Sequence, residues 1–263
     1  MRESMSFTYD GVNSEDFGVV MINEGGGLYR DLFLPTRKVI EKTVAGNDRS
    51  YFKRIERTQV TFQMTIYIRD WENKRTLRDV SRWLDQEWYK PLWFESNPNR
   101  IYYALIENDS ELVHNGLMNG YVKVNVRCNS AYSFSQELTY TEKIRGTVTT
   151  NIYNDGDATC YPILKFKKIG NGDVVIKSTL EGEQVNHMVI KDLLDGELVE
   201  IDCETQDIST NYEDRGRFIF DNHNDDWLEF GIGNPYDGDA STKVEFSGDF
   251  DLEMIYQYKY LTD

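Results

Sequence analysis

Long apolar runs are missing from this 263-residue chain: none approaches the ~18 residues that mark a membrane helix, and mean hydropathy is −0.59. A membrane-spanning helix is therefore not expected. The opening segment, Met1 to Val12, has no apolar h-region, so no signal peptide is expected either. Cysteine is scarce. Cys128, Cys160 and Cys203 are odd in number and far apart, which suits buried thiols in a reducing compartment and argues against a disulfide scaffold or a C-x-x-C zinc site. The three histidines, His114, His187 and His223, are dispersed in polar stretches with no sign of a nucleophile beside them. No G-x-S-x-G elbow, phosphate loop or H-E-x-x-H pair occurs. Gly231-Ile232-Gly233 begins like a dinucleotide loop, but Tyr236 stands in the third glycine's place and Pro235 blocks a helix there. No catalytic set, cofactor site or metal site is expected, and the chain does not read as an enzyme.

What is present is a globular balance, 40% hydrophobic and 28% charged. Aromatics reach 13% while prolines number only five, a composition that favours strands carrying large rings. The net charge of −16 is unevenly held. Residues 1–145 balance 20 Lys and Arg against 20 Asp and Glu; residues 146–263 hold 9 against 25, and so carry the whole excess. That shift places an expected domain boundary near 145, giving domains 1–145 and 146–263. The acidic half would repel phosphate backbones, so nucleic acid is not an expected partner.

In the first half, Phe7 to Gly11 reads as a short strand closing in an Asp-Gly turn, and Phe17 to Ile22 as a second apolar run. Residues 28–52 mix Leu32, Phe33, Leu34, Val39, Ile40, Tyr51 and Phe52 with charges, and read as an arm leaving the core to be covered by a partner. From Thr58 to Ile68 the residues Val60, Phe62, Met64, Ile66 and Ile68 alternate with polar ones, predicting a long strand with one buried face. Asp70 then caps a predicted helix over Trp71–Trp88, whose stripe is Leu77, Val80, Leu84 and Trp88, widened by Trp83. Strands are expected at 92–95, 101–106 and 120–128. In the second half, residues 136–150 read as a polar, Thr-rich bridge. Eight short strands follow at 163–166, 174–178, 188–190, 198–203, 218–220, 227–230, 243–246 and 252–260. Separated by turn residues, they predict a β-sandwich or jelly roll.

Two segments of the second half bear on binding. Asp221-Asn222-His223-Asn224-Asp225-Asp226 is oxygen-rich, but it lacks the glycine and closing glutamate of a helix-loop-helix calcium site and reads as a surface turn. Tyr212, Trp227 and Tyr236, on turn-rich segments beside Asn and Asp, are candidates to stack on a sugar ring or meet a partner; packing at the core or an edge is the plainer reading of each.

The order and spacing of several short patterns resemble one family. Phe7, Tyr9, Gly11, Ser14 and Phe17-Gly18-Val19 open the chain, and Val44-x-Gly46-x-Asp48 precedes the long strand. After the helix come Pro91-Leu92-Trp93-Phe94, Arg100-x-Tyr102-Tyr103-Ala104, and Gly120 through Cys128 followed by Ala131-Tyr132. Glu200-Ile201-Asp202-Cys203, Ser209-Thr210-Asn211, Trp227-Leu228-x-Phe230-x-x-Gly233-Asn234 and Tyr256-x-Tyr258-x-Tyr260-Leu261 continue the series. The series is similar to the distal tail protein (Dit) family of siphovirus-type bacteriophages. Asn129-Ser130 departs from it by standing where a proline-containing turn is usual. The resemblance implies a mainly β chain: an N-terminal tail-tube-like β-sandwich or barrel with one α-helix, then a galectin-like or carbohydrate-binding-module-like β-sandwich. It further implies a homohexameric ring at the virion tail tip, assembled in the bacterial host cytoplasm. That ring would join the tail tube protein to the tip or tail-associated lysin protein, and would meet a receptor-binding protein or host wall polysaccharide. The competing class is a carbohydrate-binding module protein that adheres to wall polysaccharide; it explains the sandwich but not the arm.

Overall fold

A computed structural model describes residues 6–22, 35–107, 112–114, 120–213, 218–233 and 241–261. The chain forms two compact units, Met1–Ser135 with Tyr260–Asp263, and Gln136–Lys259. Each has its own apolar core.

The first unit contains β1 (Phe7–Tyr9), β2 (Val12–Asn13), β3 (Val19–Ile22), β4 (Arg37–Lys42), β5 (Tyr51–Arg57), β6 (Thr61–Ile68), α1 (Lys74–Leu84), β7 (Lys90–Phe94), β8 (Asn97–Glu107), β9 (Leu112–His114), β10 (Gly120–Cys128) and β11 (Ser133–Phe134). Its main sheet runs β2-β1-β7-β8-β10-β6-β3 through antiparallel pairs. The alternation read over 58–68 becomes β6, with Met64, Ile66 and Ile68 buried. Successive strand residues point to opposite faces, so one face fills the core while Thr61 and Gln63 stay outside.

The helix is shorter than its sequence pattern predicts. It starts at Lys74, because Asn73 rather than Asp70 caps it: Asn73 Oδ1 accepts from the Arg75 N–H at 3.0 Å. Asp70 instead accepts from Asn73 Nδ2 and Thr76 Oγ1. It ends at Leu84, since β7 begins at Lys90 and the chain needs residues 85–89 to turn into it. Val80, Trp83 and Leu84 are buried as expected, whereas Trp88, beyond the helix, is 75% exposed. Trp83 ties the helix to the sheet. Its Nε1 donates to Tyr9 O at 2.9 Å, and its ring lies 5.5 Å from Phe7 and 4.9 Å from Phe17. Gly120, at the start of β10, has Trp71 against it; a Cβ there would meet Trp71 carbons at 2.5 Å.

The second unit contains β12 (Leu138–Tyr153), β13 (Ile163–Lys168), β14 (Gly172–Leu180), β15 (Glu183–Leu193), β16 (Leu198–Asp202), β17 (Asp207–Thr210) and β18 (Ser241–Tyr256), followed by β19 (Lys259–Tyr260) at the boundary. β12 and β18 pair antiparallel along all 16 residues of each. Because β12 occupies one side of β18 throughout, the other side is shared: β14 pairs with Thr242–Ser247 and β13 with Phe250–Ile255. The change of partner falls at Gly248, which faces Gly146 across the ladder, and both have positive φ. A Cβ on Gly248 would stand 2.8 Å from Asp173 O, so the bend requires glycine. The seven-stranded sheet, ordered β15-β14-β18-β13-β16-β17 with β12 beside β18, thus folds about its longest hairpin. Ile176, Met188, Ile190 and Phe246 from one part join Leu164, Phe166, Phe250 and Met254 from the other in a single core.

Several second-half expectations change. Residues 136–150 are not a bridge but most of β12, and position 145/146 lies inside that strand. Its polarity comes from an exposed face, not from a linker. The strands read at 243–246 and 252–260 are largely one strand, β18. Segment 218–220 belongs to a 3₁₀ turn, Ile219–Asn222, and 227–230 makes a single bridge, Phe230 to Cys160. The mainly β architecture with one helix among the described residues matches the expected fold class. All three cysteines are buried free thiols, and burial pushes each up to about 12.

Candidate functional site

Of the expected arm, Leu32, Phe33 and Leu34 lie outside the described residues; Val39, Ile40, Tyr51 and Phe52 lie on a two-stranded ribbon. β4 and β5 pair antiparallel with each other only, and stand apart from the main sheet. Their partners are Arg37 with Arg57, Lys38 with Glu56, Val39 with Ile55 and Ile40 with Arg54; after a bulge, Glu41 faces Phe52 and Lys42 faces Tyr51. At the tip, the Asn47 N–H donates to Val44 O at 3.0 Å and Gly46 takes positive φ. At the base, the Thr58 N–H donates to Thr36 O at 3.1 Å.

The ribbon has no buried face. Val39 is 53% exposed, Tyr51 57%, Phe52 62% and Ile55 40%. An isolated two-stranded hairpin is marginal in water, and contiguous exposed apolar side chains mark an interaction surface. The ribbon is also cationic: residues 37–57 hold seven Lys and Arg against three Asp and Glu, in a chain of net charge −16. Arg54 pairs with Glu56, whereas Arg37, Lys38, Lys42, Arg49 and Lys53 have no ion pair among the described residues.

A second exposed patch of the first unit was not read from the sequence. Trp88 and Tyr89 follow the helix, at 75% and 38% exposure, next to Asp85 and Glu87. Neither carboxylate forms an ion pair among the described residues. The signal was the acidic Asp85-Gln86-Glu87 run, which sits poorly in the last turn of a helix, where the dipole favours cations.

In the second unit the two described aromatic candidates, Tyr212 and Trp227, do not form an exposed platform. Trp227 is 7% exposed, its Nε1 donates to Asp225 Oδ1 at 3.1 Å, and His223 lies 4.4 Å from its ring. The stacking role read for Trp227 is therefore corrected: its ring faces are packing surface. Tyr212 is half-buried with its hydroxyl donating to Asp195 O, and Tyr236 lies outside the described residues. The oxygen-rich segment 221–226 closes the edge of β15. Asn224 Oδ1 accepts from the Val189 N–H at 2.9 Å, and Asp226 Oδ2 from the His187 N–H at 2.7 Å. This use of side-chain oxygens caps an edge that would otherwise present unpaired N–H groups. Among the described residues no group of three or more His, Cys, Asp or Glu is placed to hold a metal ion. Protonation of His223 is disfavoured in this segment. Its Nδ1 accepts from the Asp225 N–H at 3.1 Å, and burial lowers its pKa below the ordinary value, outweighing the opposing pull of Asp225 and Asp226.

The outer face of β12, β18, β13, β16 and β17 forms an open trough of about 880 Å³, lined in part by Lys143, Lys165, Glu200, Asp251 and Glu253. Its charges pair across strands, as in Lys165–Glu200 at 3.1 Å and Arg145–Asp251 at 2.7 Å.

Comparison with known proteins identifies the family and the fold. Residues 2–130 match a family model described as phage tail protein N-terminal domain, and residues 132–256 one described as phage tail C-terminal domain. The SPbeta prophage-derived uncharacterized protein YomH of Bacillus subtilis (strain 168) is 29% identical over 264 residues, covering 99% of this chain and 100% of that protein. Among solved structures, the Dit (gp 19.1) protein of phage SPP1, a hub adsorption apparatus protein of phages infecting Gram-positive bacteria, aligns over 97% of this chain and 99% of its own, with TM-score 0.69 and 15% identity. A chain of the phage P2 baseplate in its activated conformation aligns over 97% of this chain and 98% of its own, with TM-score 0.55 and 8% identity. The chain belongs to the phage tail protein family matched by these two models, and it has the fold of a distal tail hub protein.

Proposed function

We propose that this protein is the structural hub of a phage tail tip: a homohexameric ring joining the tail tube protein to the tip or tail-associated lysin protein, assembled in the host cytoplasm. The first unit builds the ring, with Val39, Ile40, Tyr51 and Phe52 reaching the next protomer. The second unit, Gln136–Lys259, forms an outward docking platform for further tail components such as a receptor-binding protein, without catalysis. The observation that carries this reading is the ribbon. A two-stranded element with no core of its own and four large apolar side chains at least 40% exposed is stable only when covered. The distal tail hub fold and the phage tail family models supply the setting.

The burial of Trp227 disfavours the alternative, adhesion to wall polysaccharide by aromatic stacking. Light scattering and negative-stain imaging of the purified protein test the ring. Six copies of the 30.8 kDa chain give about 185 kDa and six-fold particles. A protein that stays monomeric even when mixed with its tail-tube and tip partners overturns the reading.

A further inference from the structure

A cyclic ring is closed by a head-to-tail contact, which needs two different and complementary surfaces on each protomer. Among the described residues of the first unit, the large exposed apolar side chains fall into two groups. Val39, Val44, Tyr51, Phe52 and Ile55 are on the ribbon; Trp88 and Tyr89 are on the turn after the helix. The two groups carry opposite charge. Among the described residues, Arg37, Lys38, Lys42, Arg49 and Lys53 of the ribbon have no ion pair, and neither have Asp85 and Glu87 of the turn. We infer that the ribbon of one copy docks on the Asp85–Tyr89 turn of the next, and that this pair is the head-to-tail contact of the ring. The inference rests on the proposed ring and adds the second half of its interface.

The sheet register supports it. Lys90 pairs with Ala104, Ala104 with Cys128, and the Cys128 N–H donates to Val60 O at 2.8 Å. This row crosses β7, β8 and β10 and reaches the start of β6. The Asp85–Tyr89 turn enters the row at β7 and the ribbon at β6, three places apart in the strand order. Both surfaces therefore leave the same end of the sheet from different strands, and are separate surfaces of the protomer. Trp88 and Phe52 are aromatic anchors of the kind that dominate interfaces. Nucleic acid is the weaker occupant for the ribbon, because Glu41 and Glu56 interrupt its cations and a phosphate backbone would leave Val39, Ile55 and Phe52 uncovered.

Mixing of full-length variants tests the contact. Phe52→Asp breaks the ribbon and Trp88→Asp breaks the turn; both side chains are exposed, so each protomer should keep the wild-type far-UV circular dichroism spectrum. Each alone is expected to be monomeric. Mixed in equal amounts they should form a dimer of twice the 30.8 kDa protomer mass and nothing larger, since one intact ribbon meets one intact turn and both ends are then blocked. As a second route, Lys38→Glu/Lys53→Glu and Asp85→Lys/Glu87→Lys should each weaken assembly at least tenfold in protein concentration, and the combined charge swap should restore rings. If wild type forms rings and Trp88→Asp does too, or the mixture stays monomeric, the inference falls while the ring reading stands. If wild type forms no ring under any condition, the ring reading itself falls. Ribbon-dependent binding of a 20-base-pair DNA duplex by Trp88→Asp would also overturn the inference, by giving the ribbon another occupant.

Discussion

At the scale of single residues, His223 shows how an edge cap becomes sensitive to pH. Its Nδ1 accepts a backbone N–H, so the neutral ring has its proton on Nε2, which is buried without a hydrogen-bond partner. A second proton would set an N–H against an N–H. Burial accordingly lowers the folded-state pKa below the unfolded value of 6.5. The unfolded chain then binds more protons in the window just below that value, so stability falls as pH drops through it and levels off below the folded pKa. Thermal melts of wild type and His223→Gln between pH 7.5 and 5 should diverge, with the wild type losing more on acidification. Parallel pH profiles would refute this account.

At the scale of elements, the helix and the ribbon are held in opposite ways. The α1 stripe buries Val80, Trp83 and Leu84, each contributing about 1.5–3 kcal/mol through removal from water. The ribbon buries almost nothing within the protomer. Replacing residues 38–56 with Asn-Gly, so that the cross-strand partners Arg37 and Arg57 are joined by a two-residue turn, should leave the melting temperature within a few degrees of wild type. The excised protein should form no ring. Ribbon amides of the free protomer should exchange near the fast limit and gain protection on assembly. A large loss of stability on excision would mean that these residues belong to the protomer core. That the excursion exists was legible from apolar residues scattered among charges over 28–52. Its bulge and its pairing register were not, because a strand pair without a buried face has little in its sequence to set register.

At the scale of the whole molecule, the two cores share no member, and the second closes within Gln136–Lys259. Residues 136–259 expressed alone should therefore unfold in one cooperative transition and give a dispersed NMR spectrum. The same experiment on 146–263 should fail, since that cut removes half of β12 and with it half the ladder to β18. Equal behaviour of the two fragments would show that the first half of β12 is dispensable.

The sequence by itself determined the class of fold and the buried thiols through composition and cysteine spacing. It determined the strands with one buried face and the helix stripe because each is written in local periodicity: two for a strand, 3.6 for a helix. β6 and β10 were readable to within a few residues for that reason. Only the tertiary structure decided the rest. Thr-rich residues 138–153 carry little local signal, yet form a 16-residue strand because β18 supplies a full ladder. Trp227 was open to packing or binding by sequence, and it packs because the segment beside it folds over β15. Trp88 looked like core until the helix ended four residues earlier. In each case the outcome depended on partners distant in sequence, and burial by such partners leaves no periodic mark on the residues it covers.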